Sequence, residues 1–362
     1  EAQKTALSHK TGPMMVLAGP GSGKTTVITH RIAGLLGAGV RPSEILVITF
    51  TKASAREMEE RFYSLRPAVR ENDTESGRVT FGTFHSVFYR ILKLAYRFPA
   101  GCVLGEEEKR QYFREFLENS ELEVEDEGEF ISAVINEISY VKGSQMDLSC
   151  YYSQNCPEEW FKRLYTGYED MLRARGKLDF DDMLVMCYEL FSQRKDILSA
   201  WQRKFRYILV DEFQDINQIQ YEIVKMLALP ENNLFIVGDD DQSIYRFRGA
   251  NIKNILSFEE AFPGAKVIKL EQNYRSTKTS LSAANEVIRN NEGRKDKTLW
   301  TENETGEKIR VKLFDTAYDE AEGIVSDIMK RGGSWKDSAI LYRTNAQSRI
   351  LEEKFVTHNI PY

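Results

Sequence analysis

The chain has 362 residues, more than one ordinary hydrophobic core would need, so two or three domains are expected. It is 42% hydrophobic and 29% charged, and no run approaches the ~20 apolar residues of a membrane span, which points to a soluble globular protein and excludes a transmembrane one. The formal net charge of −6 argues against a surface coated in nucleic acid but leaves room for a local basic groove, and four cysteines without C-x-x-C or zinc spacing predict free thiols in a reducing cytoplasm.

The N-terminal "EAQKTALSHKTG" has neither the basic start nor the apolar stretch of a signal peptide. It also lacks an initiator Met, so the numbering is expected to start inside a longer protein. "PMMVLAG" then reads as a buried strand, and "KTTVITHRIAGLL" as the helix after it. Between them "AGPGSGKTT" fits a phosphate-binding loop. Gly19, Gly21 and Gly23, with Ser22 among them, let backbone N–H groups turn toward phosphate oxygens where a Cβ would clash. The helix start adds its positive dipole end, Lys24 reaches the outer phosphates, and the Thr25 hydroxyl suits Mg²⁺. This pattern predicts nucleoside triphosphate binding.

"EILVITF" and "KASAREMEERF" repeat the strand–helix rhythm. From Tyr89 to about Gln202 helical periodicity takes over, and the acidic "GEEEKRQYFREFLENSELEVEDEGEF" predicts a helical insertion whose face repels phosphate. Near its end, "LDFDDML" could be mistaken for a metal site; an acid-rich helix start is the better reading of Asp179, Asp181 and Asp182. Next come three apolar strands, "RYILVDE", "NLFIVGD" and "AKVIKLE". Strands apolar throughout and alternating with helices predict a parallel sheet covered on both faces.

Asp211 and Glu212 follow the first of these strands. Buried carboxylates need a partner, and the upstream phosphate loop supplies one: Asp211 would complete the Mg²⁺ shell while Glu212 orients and deprotonates water. After the next strand, "VGDDDQSIYRFRGA" places Gln242 to contact the terminal phosphate. It also offers Tyr245, Phe247 and Arg248 for stacking on unpaired bases, although a helix burying Tyr and Phe in the core fits the composition equally well. Beyond Thr277, "KIRVKLF", "TAYDEAEGIVSDIMKR", "DSAILYR" and "AQSRILEEKFVTH" predict strand, helix, strand and helix, the first portion of a second α/β domain.

The ordered set of segments resembles a superfamily 1 DNA helicase of the UvrD/Rep/PcrA family over nearly the whole chain. "EAQKTAL" is similar to the adenine-reading Q motif, "AGPGSGKTT" to motif I, "TFTKASAREMEER" to motif Ia and "GTFHS" to motif Ib. "VDEFQDINQIQ" resembles motif II, "GDDDQSIYRFRGA" motif III and "LEQNYRST" motif IV, with "LWT" and "AILYRTNAQSRILEE" further on.

The resemblance implies RecA-like P-loop NTPase architecture. A first motor domain would comprise residues 1–88 and 203–272, a helical insertion 89–202, and an incomplete second motor domain 273–362. It further implies that Gln3, Thr26 and Tyr274 lie at the adenine, that Arg275 brings positive charge to the terminal phosphate, and that Phe50, Thr83, His85, Tyr245, Phe247 and Arg248 contact DNA. For His85 a purely structural role stands beside that one. The implied activity is ATP- and Mg²⁺-dependent 3′ to 5′ movement on single-stranded DNA with unwinding of tailed duplexes, in company with repair or replication proteins. Two alternatives stay open: a helicase–nuclease subunit of the AddA/RecB type, and a fragment that binds nucleotide and DNA without unwinding. The chain departs from the family pattern at Phe247 (usually Trp), at Lys52-Ala53 (usually Asn-Lys) and at Thr26 (Arg in several relatives). Later motifs of the family would lie beyond Tyr362.

Overall fold

The computed structural model describes residues 1–66, 77–246, 249–344 and 347–362. Contacts divide the chain into two compact units, Glu1–Thr305 and Gly306–Tyr362.

The first unit is built on six parallel strands: β1 Met14–Ala18, β2 Ile45–Thr49, β3 Thr80–Thr83, β4 Tyr207–Val210, β5 Leu234–Gly238 and β6 Lys266–Leu270. Their order is β3-β2-β4-β5-β1-β6. Every residue of β1, β2 and β5 is buried, as expected of strands covered on both faces. Side chains alternate between those faces with the strand period of two. Met15, Leu17, Leu46, Ile48, Val210 and Ile236 belong to one core, and Met14, Val16, Ile45, Val47, Leu209 and Val237 to the other. Helices α1 Ala2–Ser8, α2 Lys24–Gly37 and α3 Lys52–Leu65 precede β3. Of these, α2 and α3 cover the second face through Val27, Ile28, Ile32, Met58 and Phe62. At the edge, β6 exposes Lys266 and Lys269, charges that discourage pairing with another strand.

Between β3 and β4 run α4 Phe84–Ala95, α5 Glu106–Glu118, α6 Glu127–Ser144, α7 Glu158–Arg175, α8 Phe180–Gln193 and α9 Lys195–Lys204. The insertion is helical, as the sequence predicts, but its helices do two jobs. Val87, Phe88 and Ile91 of α4, Leu184 and Phe191 of α8 and Trp201 of α9 join the sheet core. Helices α5–α7 close on a core of their own around Phe113, Ile138, Phe161 and Tyr168. Periodicity shows that a helix has an apolar face; it does not show which layer that face meets.

Asp179 and Asp182 start α8 with a reciprocal cap, each carboxylate accepting from the other's backbone N–H at 2.8 and 2.9 Å. Two buried lysines meet them from the insertion. Lys109 lies 3.1 Å from Asp179, and Lys142 lies 2.6 Å from Asp182 and 2.5 Å from Glu169. The Tyr168 hydroxyl donates to Asp179 at 3.0 Å. This acid cluster is thus a helix start neutralised by ammonium groups, and it ties α5–α7 to the layer on the sheet.

The segment after α9 continues through β4, α10 Gln218–Ala228, β5, the short α11 Lys253–Leu256 and α12 Phe258–Ala261, β6 and α13 Lys278–Ile288. In the second unit, α14 Ala317–Arg331 and α15 Ser348–Thr357 pack around Val325, Phe355 and Ile360. The two strands expected here do not form: "KIRVKLF" and "DSAILYR" lie outside any described strand. Ile309, Val311 and Leu313 have the alternation of a strand but are 57%, 83% and 94% exposed. A period of two prepares a strand, and a hydrogen-bonded neighbour is needed to make one. No described helix is long and apolar enough to cross a membrane.

Candidate functional site: the carboxyl edge of the parallel sheet

Three loops meet where β1, β4 and β5 end. The first runs from Gly19 to α2. Gly21 and Gly23 have φ of 66° and 87°, in the left-handed region that favours glycine. A Cβ on Gly21 would stand 2.7 Å from Asn273 Nδ2 and 2.9 Å from Arg275 Cβ, and one on Gly19 would stand 2.2 Å from Leu299 Cδ2. Bare backbone therefore lets two later segments close on the loop. The Ser22 hydroxyl donates to Gly19 O at 2.6 Å and fixes the curve. Helix α2 starts at Lys24 without a side-chain cap, which leaves first-turn N–H groups for an anion.

The second loop leaves β4. Asp211 is buried and its Oδ1 has no hydrogen-bond partner; burial, then the charge of Glu212, pushes its carboxyl up to about 7. An orphaned oxygen on a buried carboxylate, in a site where Thr25 stands in the first turn of α2, fits a divalent cation. Glu212 sits at φ 50°, ψ 45°, a left-handed conformation that costs a residue with a side chain roughly 1–2 kcal/mol. Its Oε2 lies 2.9 Å from Lys24 Nζ and accepts from Gln214 Nε2 at 2.9 Å.

The third loop leaves β5. Asp239 N–H donates to Gln214 Oε1 at 2.9 Å, and Asp239 Oδ2 accepts from Gln242 Nε2 at 2.7 Å. Lys24, Glu212, Gln214, Asp239 and Gln242 are thereby joined in one network spanning three strand ends. Gln214 and Asp239 carry its middle and received no role from sequence reasoning. Only the fold shows that the first amide faces two loops at once.

Residues 272–276 lie against the phosphate loop. Asn273 Nδ2 donates to Pro20 O at 2.7 Å while its Oδ1 accepts from the Arg275 and Ser276 N–H groups at 2.8 and 2.7 Å. Tyr274 N–H donates to Gly21 O at 2.9 Å. The Arg275 side chain is exposed beside the loop. Gln3 donates to Ser22 O at 2.9 Å and, with Tyr274, Lys269 and Trp300, lines a cavity of about 190 Å³. Trp300 stands on this wall, a place that nothing in "LWT" marks out. Thr26 is exposed.

Of the residues expected at DNA, Phe50 and Tyr245 are half-buried with ring centroids 5.1 Å apart. Thr83 caps α4 in a reciprocal pair with Ser86. His85 meets Phe180 edge-on at 5.4 Å, and burial lowers its pKa against the pull of Asp181 and Asp179. Phe50, His85, Phe180 and Asp215 share a cavity of about 480 Å³. Phe247 and Arg248 lie outside the described residues.

Residues 1–263 match the family model of the UvrD/REP helicase N-terminal domain, and residues 268–362 that of the UvrD-like helicase C-terminal domain. Proteins described as ATP-dependent DNA helicase PcrA from Staphylococcus aureus (strain Mu50) and Staphylococcus epidermidis (strain ATCC 12228) are each 44% identical over 99% of this chain. The chain spans 50% of the length of each of these relatives.

Proposed function

Because this chain belongs to the UvrD/Rep helicase family, we propose that the protein containing it hydrolyses ATP to move 3′ to 5′ along single-stranded DNA and to open tailed duplexes. The observation that carries the reading is the continuous network from Lys24 through Glu212, Gln214 and Asp239 to Gln242. It couples a phosphate-binding lysine, a carboxylate able to take a proton from water, and an amide that can report the terminal phosphate.

Thr25 and Asp211 would hold Mg²⁺, which when bound neutralises phosphate charge. Arg275, standing over Gly21, adds positive charge to the transferring phosphoryl group. Gln3 and Tyr274 receive the adenine in the cavity they share, and Thr26 is assigned to the same base although it does not line that cavity. Phe50, Thr83, His85 and Tyr245 form the DNA face, together with Phe247 and Arg248. We further assign residues 1–88 and 203–272 to the first motor domain, 89–202 to the insertion and 273–362 to the start of the second. The junction between the two family matches, 263 to 268, supports the last division. A cytoplasmic role beside repair or replication proteins completes the reading.

The test is ATP hydrolysis and strand displacement by the full-length protein. Turnover stimulated by a single-stranded oligonucleotide, with opening of 3′-tailed duplexes, is expected. Opening of 5′-tailed duplexes alone would overturn the polarity, and absence of DNA-stimulated turnover would overturn the motor. A second expectation concerns the base. Tyr274→Ala removes an aromatic wall worth roughly 0.5–1.5 kcal/mol, so KM for ATP should rise about two- to thirteenfold at nearly constant kcat. An unchanged KM in steady-state assays would take Tyr274 away from the adenine.

A further inference from the structure

Three consecutive aspartates, Asp239, Asp240 and Asp241, follow β5 with their carboxylates gathered. Among the described residues they form the one group of three or more acids close enough to share a metal ion. The cation they surround belongs to the chain itself. Lys297 Nζ lies 2.9 Å from Asp239 Oδ1 and 2.7 Å from Asp241 Oδ2, and it also contacts Asp240. Its side chain is 1% exposed. Burial pulls its pKa down, but the carboxylates, Asp239 foremost, more than offset this and keep the ammonium charged.

We propose that Lys297 is a positioning residue for ATP hydrolysis, setting the Asp239 carboxylate that in turn orients Gln242; the inference rests on the motor reading above. Asp239 divides its two oxygens. Oδ1 meets Lys297, and Oδ2 accepts from Gln242 Nε2 at 2.7 Å. A carboxylate only accepts, so this contact fixes which end of the Gln242 amide is nitrogen. It leaves the amide oxygen and the second N–H for the phosphate and its attacking water. The backbone N–H of the same Asp239 donates to Gln214, the partner of Glu212. One ammonium thus stands behind both side chains assigned to the chemistry.

The stretch around Lys297 is anchored as a scaffold requires. Lys295 N–H donates to Asp240 Oδ2 at 2.7 Å, Arg294 Nη2 donates to Lys297 O at 2.8 Å, and Thr298 N–H donates to Glu271 Oε1 at 2.9 Å. Two residues on, Leu299 packs on Gly19, and Trp300 reaches the cavity of Gln3 and Tyr274. A free cation could neutralise the three aspartates equally well. Only a tethered one makes their position depend on the segment that also touches the phosphate loop.

The test compares the full-length wild type with Lys297→Met and with Asp240→Asn/Lys297→Met, which removes one carboxylate along with the ammonium. Lys297→Met should lower DNA-stimulated kcat on the order of 10²-fold, the scale of a misplaced catalytic group, with KM for ATP changed less than about threefold. The double variant should regain thermal stability while kcat stays low. If it regains wild-type kcat together with stability, Lys297 serves only to balance charge and the proposal is overturned. Wild-type kcat in a folded Lys297→Met overturns it too. Either result leaves the motor reading standing, because that reading depends on wild-type turnover alone.

Discussion

Glu212→Gln should cut ATP turnover by ~10²–10⁴-fold, the range for loss of a positioned general base, without weakening nucleotide binding. Gln has the size of Glu and keeps an oxygen to accept from Lys24 and Gln214, which meet Glu212 at 2.9 Å each. It also meets the same left-handed backbone at φ 50°, so no new strain is introduced. What it loses is the ability to take a proton. Binding should hold or tighten, because the carboxylate competes with phosphate oxygens for the Lys24 ammonium and the amide competes less. Single-turnover hydrolysis beside equilibrium binding of ATP would separate the two effects. Hydrolysis within about twofold of wild type would move the base elsewhere. Asp215 would then be next: its carboxyl is pushed up to about 7 by burial and by the charge of Glu212.

That the Gly-rich loop, both acids after β4 and Gln242 belong to one candidate site could be read from sequence, because the proposed chemistry needs particular residue types at fixed spacing, and the structure brings them together. Strand order is another matter. Nothing in "VLAG" says that β1 lies between β5 and β6; that arrangement puts Asn273 and Arg275 on the phosphate loop. The residues missed share one property. Gln214, Asp239, Asn273 and Lys297 act by bridging elements far apart in the chain, and a bridge leaves no periodic mark. Lys297 stands in "GRKDKTLW", which by composition is a solvated basic turn, yet its side chain is almost wholly buried. The strands expected in the second unit but not formed are the converse case: in "KIRVKLF" the alternation is present and the neighbour is not.

The same physics makes Lys142→Met the substitution with the largest expected effect on stability. Lys142 is 4% exposed and faces Asp182 at 2.6 Å, Glu169 at 2.5 Å and Asp179 at 3.5 Å, with the Tyr168 ring 5.4 Å away. Methionine fills a similar volume but leaves Asp182 and Glu169 without an ammonium and Asp179 with Lys109 alone. Breaking a buried pair by removing one partner costs about 3–5 kcal/mol, more than Met can regain by packing. Urea unfolding should therefore show a lowered midpoint. Asp182→Asn/Lys142→Met should recover part of the loss, since the pair couples directly. Asp182 is the right partner to remove, because burial and then the charge of Asp179 already push its carboxyl up to about 6. Neutralising it thus costs less than neutralising Asp179, which Lys142 and Lys109 hold well below the usual carboxylate range despite its burial. The loss should fall first on α5–α7, whose core around Phe113 and Tyr168 is separate from that of the sheet. Amide hydrogen exchange that quickens in those helices before the β-sheet would confirm it. Uniform acceleration across both would show that the cluster holds the whole unit together.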